Sequence, residues 1–468
     1  MVFSNIFFLY VFLPVLFIAY FIIKNDAYRR AVLIAFSLVF YAWGEPVYVF
    51  LMIGLVLADY LFGLLIDHTR QIWLRKFWLC IAVISNLSIL GVYKYLGFIT
   101  ETMNIIFNVT IPVVELAMPI GISFFTFQTM SYVIDVYRGD ADVQKSFFKL
   151  LLYVSFFPQL VAGPIVRYKD IEMQLSDRSV TLDKINDGLF RFSVGLVKKV
   201  LIADCCDTAI TSLLSLTDVT FAGRWAAAVF YTLQLYFDFS GYSDMAIGLG
   251  KMFGFEFLEN FNYPLISKSA TEFWRRWHMS LGTFFRDYVY IPLGGNRYDQ
   301  QRNILVVWFL TGLWHGASWN FIIWGLYYGF LLMWEKKHYL KKIEKMPKAV
   351  SFIVSHIYTI FITVFGFAIF YFDTDLFKNL GYLLGIGCQS VNDIFTTSVI
   401  AGNAYLLIAA CIFSIPIIPY AWNWVKNHIN ISYTLERILK TVIVITFIAV
   451  STVRLVGDTY SAFLYFRF

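Results

Sequence analysis

Twelve apolar runs follow one another along the chain, at about 3–23, 31–43, 46–66, 77–98, 117–134, 147–163, 186–203, 221–250, 304–334, 350–372, 401–421 and 438–456. A bilayer core about 30 Å thick takes roughly 20 helical residues per crossing. Backbone polar groups have no water to bond in lipid, so such runs must satisfy them internally as helices. The expected fold is an all-α polytopic membrane protein. Several runs are too short or too polar for a plain crossing, which points to about 11 transmembrane helices plus re-entrant or interfacial pieces shielded by protein.

No stretch combines a domain's length with ordinary polarity, and only 15% of the residues are charged. One membrane-embedded domain over 1–468 is therefore expected, with the lipid bilayer as its first partner. The net charge of +6 falls largely in short loops, where it reads as a topology signal and gives no reason to expect nucleic acid. The basic stretches 24–30, 70–76 and 335–348 are expected in the cytoplasm, and the turn at 44–46 outside. Counting onward places the N-terminus and the C-terminus on the extracytoplasmic side. The first run has its basic residues, Lys24, Arg29 and Arg30, only after it, so it reads as a retained helix. The five cysteines lack disulfide or zinc spacing, and neither a metal nor a bound cofactor is expected.

Two histidines sit in aromatic signatures within this apolar chain: His278 in Phe273-Trp274-Arg275-Arg276-Trp277-His278, and His315 in Gly312-Leu313-Trp314-His315-Gly316. Imidazole suits proton transfer near neutral pH, and an ionisable group at membrane depth is costly enough to suggest function. The run 304–314 makes only about 16 Å of helix, roughly half a bilayer core. The run 319–334 is short as well and must return to the basic loop, so His315 is expected at a hairpin bend. Segment 271–290 carries too many charges to span. It reads as an amphipathic interfacial helix, with Arg275, His278, Gly282 and Arg286 at i, i+3, i+7 and i+11 forming one polar stripe. Arginines there, Arg276 included, suit an anionic, phosphate-bearing donor, although they also fit interfacial anchoring. Asp238, Asp244 and the other four histidines read as structural or loop residues.

The strings 273–281 and 285–296, the Gly312–Gly316 motif, and the stretches 121–128, 158–165 and 236–244 together resemble the membrane-bound O-acyltransferase (MBOAT) family. The resemblance runs over about 118–335 and is nearest to its bacterial AlgI/PatA/DltB-like branch, which modifies alginate, peptidoglycan and teichoic acid. It implies a ring of helices around a thin central region with a tunnel. A thioester donor, acetyl-CoA or an acyl carrier protein, would enter from the cytoplasm, and a hydroxyl acceptor from outside. The family's histidine falls on His315, and its second position, variably His, Asn or Asp, on His278. The implied function is export of an acyl group, most simply acetyl, for O-acylation of an extracellular or cell-wall polysaccharide at a bacterial plasma membrane. A secreted or membrane-anchored esterase-like acyltransferase would be the outside partner. D-alanyl transfer from a carrier protein is the alternative within the class, and a transporter of acyl donor or polymer the alternative outside it.

His315 is then expected as general base, and His278 as a group that orients the thioester or polarises its carbonyl. The chain's last six residues, 463–468, carry Phe463, Tyr465 and Phe468 in a Phe-x-Tyr-x-x-Phe pattern like that ending the small partner peptide of the D-alanylation system. Tyr465 is accordingly expected as an acyl relay. Aromatic ends also anchor at membrane interfaces, which is the simpler reading of the residues by themselves.

Overall fold

A computed structural model describes residues 1–114 and 116–457. Every regular element among them is a helix apart from one isolated bridge. Among the described residues, four helices are long and apolar enough to cross a membrane: Tyr48–His68, Ile72–Phe107, Lys348–Tyr371 and Tyr433–Gly457. The pair Ile394–Gly402 and Ala404–Phe413, bent by 49°, adds a fifth if it counts as one broken span. Other apolar runs fold as shorter, broken or more polar helices, such as Phe147–Ser155 followed by Phe157–Leu160. The chain is an all-α, multi-pass membrane protein. Phe463, Tyr465 and Phe468 lie outside the described residues.

Contacts divide the chain into two units, 1–192 with 242–258 and the last described turn, and 193–241 with 259–454. In the first, the helix Ile122–Arg138 is buried on nearly all sides. Its start needs a glycine: Gly121 has φ +77°, and a Cβ there would lie 2.8 Å from the Leu160 carbonyl. Burial on all faces forces its polar side chains to find protein partners. Thr129 donates to Asn86 Oδ1 at 2.9 Å, and Asn86 Nδ2 donates to both oxygens of Asp59 at 3.0 and 2.9 Å. That junction ties Ile122–Arg138 to Tyr48–His68 and Ile72–Phe107. Asp244, also in this unit, pairs with Arg191 at 2.7 Å.

The second unit holds a helical hairpin, Gln300–His315 and Trp319–Trp334. Its backbones touch: a Cβ on Gly312 would collide with the Phe321 carbonyl, and one on Gly325 with the Trp308 carbonyl. Gly316 leaves the first helix with extended backbone. The bend expected at His315 is therefore where the chain reverses. Elsewhere in this unit Lys199 lies 2.7 Å from Asp238 and 2.9 Å from Asp204, all three largely buried. Asp238 and Asp244 are thus both ion-paired.

Candidate active site

The segment expected as one helix over 271–290 is broken in the middle. Ala270–Arg276 ends at Trp277, His278 adopts φ +44°, ψ +53°, and Met279–Phe285 begins anew before a wider turn, Arg286–Tyr290. The cause is the strand of chain before it. The Asn262 N–H donates to the Arg276 carbonyl at 2.9 Å, and the Met279 N–H donates to the Asn260 carbonyl at 3.0 Å. The polar stripe is consequently not continuous. Arg275 and Arg286 remain exposed, with Arg286 against Asp287 at 2.7 Å, while Arg276 pairs with Glu272 at 3.0 Å and donates to the Asn262 carbonyl. His278 turns inward to 2% exposure.

Asn260 determines the proton position on that histidine. Its Oδ1 receives the Ser280 N–H at 3.3 Å and the Ser280 hydroxyl at 2.8 Å, and a backbone N–H can only donate, so the atom is an oxygen. His278 Nδ1 lies 3.1 Å from that oxygen and must donate to it. Nε2 is then the lone-pair nitrogen of the neutral ring. Burial lowers the His278 imidazole to about 3, which keeps it neutral at physiological pH.

His315 is also buried, at 6% exposure, on the last turn of Gln300–His315. Trp324 and Phe370 meet its ring edge-on, with centroids 5.0 and 5.1 Å away. Trp314 contacts both histidines, with ring centroids 5.8 Å from His278 and 4.9 Å from His315. One indole thus contacts two imidazoles far apart in sequence. Phe239, one residue from the ion-paired Asp238, meets His278 edge-on at 4.6 Å. Behind Trp324 the aromatic wall continues through Trp274, Trp308 and Tyr328. The indole N–H groups of Trp274 and Trp324 are buried and have no hydrogen-bond partner among the described residues.

One site-positioning residue escapes sequence reading. Glu335 opens the basic stretch 335–348, yet it is fully buried on a helical continuation of the hairpin's second arm. Its oxygens accept from the N–H groups of Ala270 and Thr271 at 2.6 and 2.8 Å, and from the hydroxyls of Thr271 and Tyr358 at 2.7 and 3.1 Å. It caps the helix that leads into His278, where unsatisfied N–H groups favour an anion. No local signal marks this, because the partners stand 64 and 65 positions away. Of the remaining histidines, His356 and His428 each bond the carbonyl four residues back, at 2.7 and 2.8 Å.

An all-α membrane chain with paired buried imidazoles in this sequence setting has a counterpart among known proteins. Residues 140–372 match the family model described as MBOAT, membrane-bound O-acyltransferase family. The chain belongs to this family and is an acyltransferase. It is 44% identical over 358 residues to a probable alginate O-acetylase AlgI of Azotobacter vinelandii, covering 75% of this chain and 71% of the relative. A peptidoglycan O-acetyltransferase of Helicobacter pylori is 37% identical over 393 residues, 76% of this chain and 75% of the relative. A teichoic acid D-alanyltransferase of Bacillus subtilis is 30% identical over 272 residues, 54% and 68% respectively.

Proposed function

We propose that this acyltransferase moves an acetyl group from acetyl-CoA on the cytoplasmic side to a hydroxyl on a polysaccharide outside. The observation that carries the reading is the pair of buried imidazoles that both contact Trp314. A transfer of this kind needs a base for the attacking hydroxyl, while a thiol with a pKa of about 8.5 leaves readily. His315 takes the base role. A carbonyl-polarising role for His278 would require a proton on Nε2, which the tautomer imposed by Asn260 does not supply. His278 serves instead as an acceptor for an N–H or O–H of the bound substrate. The buried indole N–H groups of Trp274 and Trp324 are the better-suited donors for a carbonyl oxygen.

Tyr465 is the proposed relay. Its phenol oxygen attacks the thioester carbonyl, a C–O bond forms, the C–S bond breaks, and the phenol's proton passes through His315 to the departing thiolate. The acetyl-tyrosine then acylates a polymer hydroxyl directly or through a secreted esterase-like partner. The termini and the 44–46 turn lie outside in this reading, and the 335–348 stretch, whose Lys336 feels the charge of Arg275, in the cytoplasm. Purified protein given radiolabelled acetyl-CoA tests it: label should be trapped on the wild-type chain and lost in His315→Ala and Tyr465→Phe. Label retained in Tyr465→Phe removes the relay. A protein that moves label across a vesicle membrane without covalent capture is a transporter instead. D-alanyl transfer is favoured only if a carrier-protein thioester, and not acetyl-CoA, labels the chain.

A further inference from the structure

Arg275 and Lys336 are exposed cations, and among the described residues neither makes an ion pair or a hydrogen bond. The carboxylates nearest them in sequence are engaged elsewhere. Glu272 holds Arg276 at 3.0 Å and the Lys268 N–H at 3.0 Å, while the Glu335 oxygens are taken up by Ala270, Thr271 and Tyr358.

Glu335 also brings the two cations' elements together. It accepts the Thr271 hydroxyl at 2.7 Å, so the face of Ala270–Arg276 that carries Thr271 is the one turned to Glu335. Arg275 stands four residues on, one turn along that same face, and Lys336 follows Glu335 directly in the chain. The two charges act on each other. The Lys336 ammonium is lowered from its ordinary value first by partial burial and then by the charge of Arg275. The rest of the stretch 335–348 is rich in lysine, so its charge adds to the positive field. Like charges held together without an acid repel, and an anion bound to both relieves the repulsion.

Two cations match a phosphate monoester, which carries about −1.5 to −2 charge near pH 7, better than a singly charged diester. The guanidinium offers a planar fork and the ammonium a point charge, and each suits phosphate oxygens. We propose that Arg275 and Lys336 form a subsite for the phosphate monoester of the coenzyme A donor, and that filling it fastens the helix that leads into His278. The nucleotide end of the donor is thereby read three residues before the buried imidazole. The inference rests on the cytoplasmic placement of 335–348 and the coenzyme A thioester given under the proposed function.

The test uses full-length protein in neutral detergent, with coenzyme A and its 3′-dephospho form as probes. Binding is read by calorimetry and helix order by hydrogen exchange. Coenzyme A should bind about tenfold or more tightly than the dephospho form. At saturation it should slow exchange in a peptide covering 269–277 about tenfold, with a far smaller effect from the dephospho form. Lys336→Met should weaken coenzyme A about tenfold yet leave the dephospho form within about twofold, a pattern that a folding defect does not produce, and Lys336→Arg should restore most of the preference. His315→Ala should lose acetyl label and keep the preference. The preference and the protection, seen where acetyl-CoA gives no label, would count against the proposed chemistry and support this subsite. Label without preference for the 3′-phosphate, or equal losses for both probes in Lys336→Met, overturns the inference and leaves the chemistry standing. Phosphatidic acid that matches the protection by coenzyme A in mixed micelles overturns it as well, by assigning the cations to a lipid headgroup.

Discussion

Glu335→Gln should loosen the helix that leads into His278. Each oxygen of the native carboxylate receives one backbone N–H, from Ala270 on one side and Thr271 on the other, plus one hydroxyl. A carboxamide keeps only one oxygen. Whichever way it sits, its NH₂ faces a backbone N–H that cannot rotate away, and an orphaned buried donor costs about 1–3 kcal/mol. The bonds that survive lose their charge assistance, which makes ionised hydrogen bonds roughly twice as strong as neutral ones. A total of about 3 kcal/mol follows, equivalent to about a hundredfold in the local opening equilibrium. Hydrogen exchange read by mass spectrometry on a peptide covering 269–277 measures that opening directly. The exchange rate there should rise about a hundredfold, with far smaller changes in Ile122–Arg138. An unchanged rate in Glu335→Gln, with Glu335→Ala equally silent, would refute the capping argument.

Three further outcomes can be checked on purified protein. Gly312→Ala should destabilise by about 1–3 kcal/mol, because the added Cβ meets the Phe321 carbonyl and not a mobile side chain, whereas Gly282→Ala enters open space and serves as the control; unfolding midpoints in denaturant compare them. Lys199→Met should cost about 3–5 kcal/mol by removing the ammonium that pairs with the buried Asp238, and the double variant with Asp238→Asn should recover part of that loss in the same assay. The folded His278 sits near 3 against an ordinary 6.5, so the native state binds fewer protons than the unfolded chain between those values. Its contribution to stability is therefore complete above about pH 6.5 and falls away toward pH 3, by up to about 1.4 kcal/mol per unit, and His278→Asn should flatten that part of the stability profile.

The helical class was legible in the apolar runs because lipid leaves the backbone no other arrangement. The bend at His315 was legible for a related reason: two runs each too short to cross, with Trp-His-Gly between them, must reverse. The break at His278 was hidden because apolar residues keep helical spacing straight through it from Phe273 to Phe285, and the atoms that interrupt it belong to Asn260 and Asn262. Glu335 was hidden by its neighbours. A glutamate that opens a run of lysines reads as part of a solvated loop, and only the approach of the Ala270 end, distant in sequence, turns it inward. The pairing of Lys199 with Asp238 has the same origin, since neither residue's surroundings in sequence point to the other.

The left-handed backbone at His278 has a consequence for descent as well as for chemistry. A side chain bearing a branched or bulky Cβ is strained at φ +44°, while Asn, Asp and His are the non-glycine residues that enter this region most readily. Those are the three residues that the family resemblance associates with this position. Main-chain geometry would therefore filter the substitutions available there before any catalytic requirement acts, and drift at this site would be confined to side chains that can also exchange hydrogen bonds.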